Sequence, residues 1–183
     1  MFPTQLLDAR RAIRFVRAKA EEFAIDKNKV LAIGSSAGGD LTALLATYTR
    51  ELEGEENLIN QEDYLPNGQI LCYPVISSDE RISHRASFER LLGTAYTARK
   101  EEISPELLVT EKTAPAFIWH TVEDEGVSVM NSYKYAYALN EHKVPYELHI
   151  FPRGQHGKGI ASDMPSVGQW TVLLRNWLKE KFR

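Results

Sequence analysis

The chain has 183 residues, of which 43% are hydrophobic and 26% charged, with a formal net charge of −3. That is enough for one domain with a sizeable core and short for two. A mildly acidic chain without a basic block carries no signature of a nucleic-acid or membrane-surface partner, and neither is expected.

The first helix is predicted from Leu6, Ala9, Ile13, Val16, Ala20 and Phe23, which recur at three-and-four spacing. The opening Met1-Phe2-Pro3-Thr4 has no apolar core of a signal peptide. No stretch approaches the roughly 20 apolar residues of a membrane span, so a cytoplasmic protein is expected. Asp26-Lys27-Asn28 is a turn. Val30-Leu31-Ala32-Ile33 suits a strand covered on both faces, as in a parallel sheet. After Gly34-Ser35-Ser36-Ala37-Gly38-Gly39, a second helix carries Leu41, Leu44, Leu45 and Tyr48 on one stripe.

Residues 51–67 are acidic and weakly apolar and read as an exposed, mobile loop. Residues 69–75 read as a strand, in which Cys72 is expected to be a buried, inert thiol. Residues 77–113 exceed a simple crossover, and an insertion here is expected above the sheet edge where loops gather. Within it, Ser104-Pro105-Glu106 predicts a helix capped by Ser104 with proline in its first turn. Residues 116–120 form the next strand, and Tyr133, Ala136, Tyr137 and Leu139 mark a helix that Pro145 keeps from running on. The last strand covers 146–151, and Trp170, Leu173, Leu174, Trp177, Leu178 and Phe182 mark the closing helix. Strands alternating with helices predict one α/β domain over residues 1–183, with right-handed crossovers and a parallel sheet.

Gly34-Ser35-Ser36-Ala37-Gly38 fits G-x-S-x-G, and an apolar strand runs into it as an amphipathic helix runs out. In that context the motif reads as a nucleophile elbow, a tight turn that lifts a serine above the sheet. Gly34 and Gly38 are expected to spare the turn a Cβ that would crowd strand against helix, and Gly39 to let the helix start pack closely. Spacing places the nucleophile on Ser36 rather than Ser35. The helix N-terminus favours developing negative charge, and the N–H of Ala37 is the natural oxyanion donor.

A serine hydroxyl needs a base, and the base needs an orienting acid. His156, in the glycine-rich Phe151-Pro152-Arg153-Gly154-Gln155-His156-Gly157, follows the last strand, at the end of the sheet where such folds place their sites. It is the candidate base. His142 and His149 read as structural or solvated, and His84 has no evident partner. His120 ends a strand within reach of the site and reads as shaping the turn there. The acid is expected in Glu123-Asp124-Glu125, with Asp124 preferred and Glu123 in reserve. No metal-ligand spacing or dinucleotide fingerprint is present, so no metal and no cofactor are expected.

With these residues placed, the chain resembles the α/β-hydrolase superfamily, in its esterase/lipase branch close to acetyl-xylan and other sugar-acetyl esterases. The likeness rests on Ile33-Gly34-Ser35-Ser36-Ala37-Gly38-Gly39, Ile70-Leu71-Cys72-Tyr73-Pro74-Val75, the stretch 119–127, and Phe151-Pro152-Arg153-Gly154-Gln155-His156-Gly157. By position Ser36, Asp124 and His156 match the family's triad, in its chain order, and Ala37 its second oxyanion donor. The resemblance implies a serine carboxylic-ester hydrolase acting through an acyl-enzyme on small short-chain acyl esters, acetyl esters of sugars among them. A prolyl-oligopeptidase-like peptidase and a non-catalytic remnant are the alternatives.

Such enzymes normally begin with further strands and a His-Gly-Gly loop that supplies the other oxyanion N–H. This chain opens at the helix before the elbow strand. The expectation is therefore a truncated α/β-hydrolase fold of about four parallel strands flanked by helices, with the strand at 30–33 at an exposed edge. Through that edge a homo-oligomer is expected.

Overall fold

The computed structural model describes residues 1–53 and 62–183. Among these, β1 (Leu31–Ser35), β2 (Gly68–Cys72), β3 (Ala116–Thr121) and β4 (Tyr146–Phe151) form one parallel sheet in the order β1-β2-β3-β4. The major connecting and flanking helices are α1 (Thr4–Ala18), α2 (Ala37–Thr47), α3 (Arg85–Leu92), α4 (Tyr96–Arg99), α5 (Met130–Glu141), α6 (Pro165–Gly168) and α7 (Trp170–Lys181). Strands with apolar residues at successive positions are buried on both faces, and the two-residue side-chain period divides those faces. Ile70, Cys72, Phe117 and Trp119 point towards the α7 side, where they meet Trp170 and Trp177. Leu71, Ala116 and Ile118 point the other way and pack with Ala43 of α2 and with Tyr135, Ala136 and Leu139 of α5. The same alternation delivers His120 to the α5 side, where it meets Ser132.

β1 pairs with β2 at one edge of the described sheet, and Ile33 on it is 58% exposed. Both early strands shift from their predicted bounds. β1 runs on to Ser35, and β2 stops at Cys72 because Tyr73 turns to φ 38°.

Several sequence expectations are corrected. α1 ends at Ala18, and Phe23 is 46% exposed. The helix instead buries Arg10, Arg14 and Arg17 beside its apolar stripe. Their guanidiniums donate to backbone carbonyls, Arg10 to Tyr48 and Arg50, Arg14 to Glu62, and Arg17 to Lys27 and Leu65. This pins residues 62–67, half-buried against the helix, where an exposed loop was expected; residues 54–61 of that loop lie outside the described residues. α5 faces the core with Tyr135, Ala136 and Leu139, leaving Tyr133 and Tyr137 exposed, because apolar residues around the whole helix left its inward face ambiguous. It ends before Pro145, at a left-handed Lys143 (φ 58°). Ser104 precedes a single 3₁₀ turn, Pro105–Leu107, without capping it. Its buried hydroxyl bonds instead to Ser78 Oγ and Lys100 O. The 77–113 segment packs Phe88, Leu92, Tyr96 and Ile103 with Leu6, Ile13 and Leu44 of α1 and α2.

The turn from β1 into α2 depends on a close backbone approach. A Cβ on Gly34 would lie 2.0 Å from Gly38 O, and one on Gly39 would lie 2.7 Å from Pro74 Cβ. Gly38 is different, because a Cβ there would meet nothing within 4 Å. The crowding argument holds for Gly34 and Gly39 and fails for Gly38, whose helix-side position opens outward. Gly34→Ala is expected to lower stability by about 3 kcal/mol or more, the upper end of overpacking costs. Gly38→Ala is expected to leave stability unchanged or raise it by up to about 1 kcal/mol, the gain of alanine over glycine in a helix. Urea denaturation midpoints of the two variants check the contrast.

Candidate active site

Ser36 sits between β1 and α2 at φ 56° and ψ −123°, backbone space that a side chain rarely enters. Its N–H donates to Cys72 O at 3.0 Å, and its carbonyl accepts from Val75 N–H at 3.0 Å and Gly39 N–H at 2.9 Å. Ala37 opens α2, so its N–H has no acceptor one turn back and lies beside the serine. A cavity of about 330 Å³ opens next to Ala37, lined by Phe2, Leu6, Leu41 and Leu91 among others.

Ser36 Oγ lies 2.7 Å from His156 Nε2, and His156 Nδ1 lies 2.7 Å from Asp124 Oδ2. A carboxylate only accepts, so Nδ1 carries the proton and Nε2 is left to accept from the serine hydroxyl. The structure thus brings Ser36, His156 and Asp124 into one hydrogen-bonded row, with Ala37 beside it. Asp124 follows β3 and is buried. Its Oδ1 accepts the N–H groups of Gly126 at 2.9 Å and Val127 at 2.8 Å.

The loop carrying His156 is held at several points. Thr121 Oγ1 donates to Gly154 O at 2.6 Å, and Glu123 Oε2 accepts from Gly154 N–H at 3.1 Å. Glu123, the reserve acid, therefore braces the backbone two residues before His156. Gly154 has φ 130°, which suits glycine. A Cβ on Gly126 would come within 3.0 Å of His156 Cβ, so the Asp124 turn needs glycine for the imidazole to approach. Tyr73 packs edge-to-face on His156 with centroids 5.1 Å apart, and also on Trp119 at 4.9 Å.

Of the other singled-out residues, Ser35 is the register partner of the buried Cys72, whose thiol pKa burial pushes up. His84 finds Ser87 Oγ at 2.8 Å, His149 pairs with Glu147 at 3.0 Å, and His142 is exposed at the end of α5. His120 does more than shape a turn, since its Nε2 lies 3.1 Å from Asp124 Oδ2. Neither that contact nor the one from Tyr73 was foreseen. A tyrosine at a strand end and a histidine four residues before an acid are weak signals alone. Among the described residues, no group of three His, Cys, Asp or Glu side chains could hold a metal ion.

A solved structure superposes on nearly all of the chain. The acetyl ester-xyloside bifunctional hydrolase of Caldicellulosiruptor lactoaceticus is similar at a TM-score of 0.91 and 40% identity, over 98% of this chain and 66% of that one. The fold is that of an α/β-hydrolase. More narrowly, the family model described as BD-FAE matches residues 1–139, and the chain belongs to the BD-FAE family. It is 40% identical over 161 residues to an endo-1,4-beta-xylanase B of Butyrivibrio fibrisolvens, covering 86% of this chain. It is 32% identical over 177 residues to an acetylxylan esterase of Xylanibacter ruminicola, covering 94% of this chain. The chain spans 25% and 35% of the lengths of these two curated relatives.

Beneath the elbow, Asp40 lies in the first turn of α2, where the helix dipole favours an anion by about 0.3–1 kcal/mol. Burial opposes this more strongly, since taking a lone carboxylate out of water costs several kcal/mol. The Asp40 pKa is accordingly raised well above the usual range, first by desolvation and then by the nearby Glu106. The unfolded chain releases this proton near the ordinary value of 3.8 and the folded chain retains it. The unfolded state therefore binds fewer protons between the two values, and stability falls as pH rises through the folded Asp40 pKa. Asp40→Asn, which has nearly the same shape and cannot ionise, is expected to gain stability over the parent as pH rises. The difference in urea midpoint is expected to be larger at pH 8 than at pH 5.

Proposed function

We propose that this protein is a serine esterase that hydrolyses short-chain acyl esters, acetyl esters of sugars above all, through Ser36, His156 and Asp124. The observation that carries the reading is the pair of 2.7 Å contacts, Ser36 Oγ to His156 Nε2 and His156 Nδ1 to Asp124 Oδ2, on a serine at the strained turn. The names of the relatives, an acetylxylan esterase and an acetyl ester-xyloside hydrolase, support the substrate class.

In this mechanism His156 Nε2 takes the Ser36 hydroxyl proton as Oγ attacks the ester carbonyl. The oxyanion of the tetrahedral intermediate lies against the N–H of Ala37 at the positive end of α2. The intermediate collapses, and the alcohol leaves with the proton from Nε2. Water then gives its proton to Nε2 and attacks the acyl-enzyme. The carboxylic acid departs, and Ser36 recovers its proton. Asp124 holds the tautomer and stabilises the imidazolium throughout.

Ser36→Ala is expected to abolish hydrolysis of p-nitrophenyl acetate and labelling by a fluorophosphonate probe, while Ser35→Ala retains both. His156→Ala is expected to lose about as much as Ser36→Ala, and the double variant no more, because such groups act as a unit. Full activity in Ser36→Ala would overturn the assignment. For substrate class, kcat/KM for acetyl esters is expected to exceed that for octanoyl esters; the reverse order would exclude the sugar-acetyl reading.

A further inference from the structure

We propose that His120 is a positioning residue for the reaction, holding Asp124 by a second imidazole contact so that Asp124 meets His156 in one orientation only. The proposal rests on the triad reading above. Asp124 Oδ2 has two imidazole partners: His156 Nδ1 at 2.7 Å from the solvent side, and His120 Nε2 at 3.1 Å from within the core.

His120 is fully buried, and each of its ring nitrogens has a partner. Nε2 faces Asp124 Oδ2 and, at 3.0 Å, Val127 O. Both are acceptors, so Nε2 must carry a proton. Nδ1 faces Ser132 Oγ at 2.8 Å, a hydroxyl able to donate. Burial, the largest influence on this ring, pushes its pKa down, with Asp124 opposing and His156 adding to the fall. The two constraints together leave one species, a neutral ring protonated at Nε2 that accepts from Ser132.

A five-member row results: Ser132, His120, Asp124, His156, Ser36. It runs from α5 through the ends of β3 and β4 to the elbow. Every donor position around Asp124 is then filled, with Gly126 and Val127 N–H on Oδ1 and the two imidazoles on Oδ2. The two carboxylate oxygens turn together about Cβ–Cγ, and the backbone N–H groups on Oδ1 restrain that rotation from one side only. His120 removes the freedom that is left, because its own ring is fixed at both ends. The neutral state matters equally. An imidazolium at this position would compete with His156 for the same oxygen and weaken the stabilisation that Asp124 gives to protonated His156 during turnover.

The test exploits the shapes of two amides. Glutamine places its side-chain nitrogen near the histidine Nε2 position, and asparagine places it near Nδ1. His120→Gln therefore keeps a donor towards Asp124, and His120→Asn and His120→Leu do not. With p-nitrophenyl acetate, His120→Gln is expected to retain kcat within about threefold, whereas His120→Asn and His120→Leu lose about ten- to a hundredfold, the usual weight of a hydrogen bond to a charged group. KM is expected to stay within about twofold in all three, since the contact steadies Asp124 as His156 becomes protonated and so acts in the transition state and not on substrate affinity.

Equal losses in the Gln and Asn variants, or a Leu variant at parental kcat, would overturn the role of His120. A readout on the unaltered protein stands whether or not the variants fold. Nitrogen-15 spectra of the imidazoles are expected to show the His120 ring neutral and protonated at Nε2 at about pH 7.5; a doubly protonated or Nδ1–H ring assigned to His120 would overturn it. Fluorophosphonate labelling of the parent separates the two readings. A parent unlabelled at Ser36 removes the triad and this proposal with it, whereas a labelled parent with indifferent His120 variants removes this proposal alone.

Discussion

A side chain held at φ 56° and ψ −123° costs about 1–3 kcal/mol, and Ser36 persists there because its neighbours leave the chain no other route. Hydrogen bonds in both directions tie its backbone to the end of β2, through Cys72 O and Val75 N–H. The absence of a side chain at Gly34 lets the strand pass within contact of Gly38 O, and Gly39 likewise lies close to Pro74. α2 is buried along most of its length behind the turn, so the helix cannot relax the strain by tilting. The serine hydroxyl is presented at the C-terminal end of the sheet as a consequence of these contacts.

The other members of the row depend on where that turn sits. Parallel strands bring every strand's exit to the same end of the sheet, so the loops after β3 and β4 meet above β2 and the elbow. Asp124 lies on the first of these loops and His156 on the second. Thr121 and Glu123, just before Asp124, are the groups that hold Gly154, so the same short segment supplies the acid and steadies the loop bearing the imidazole. Tyr73, at its own left-handed φ of 38°, closes the remaining side of the His156 ring.

The molecule buries charge in two ways. The arginines of α1 are long enough to reach backbone carbonyls of the segments that cross the helix while their stems pack in the core. Asp40 is short and buried beside another carboxyl, with one oxygen left without a partner, and it resolves the cost by keeping its proton. The first arrangement ties α1 to the chain between α2 and β2. The second leaves a titrating group directly under the elbow.

Much of this was legible in the residues themselves. Apolar runs at 30–33, 69–75, 116–120 and 146–151, separated by helical stripes, are enough to define a parallel α/β sheet. Local spacing determines which face most of these elements bury, α5 excepted, and the turn motif around Ser36 is likewise encoded within a few residues. Asp124 and His156 could be nominated because loops after parallel strands share one end of the sheet. The sequence could not say that His120 stands behind Asp124, nor that Arg10, Arg14 and Arg17 are core residues. Those outcomes rest on contacts between distant positions; Ser36 and His156 are 120 residues apart. Only the packing of α5 and α7 against opposite faces of the sheet sets the distances that turn a list of candidate groups into a hydrogen-bonded row.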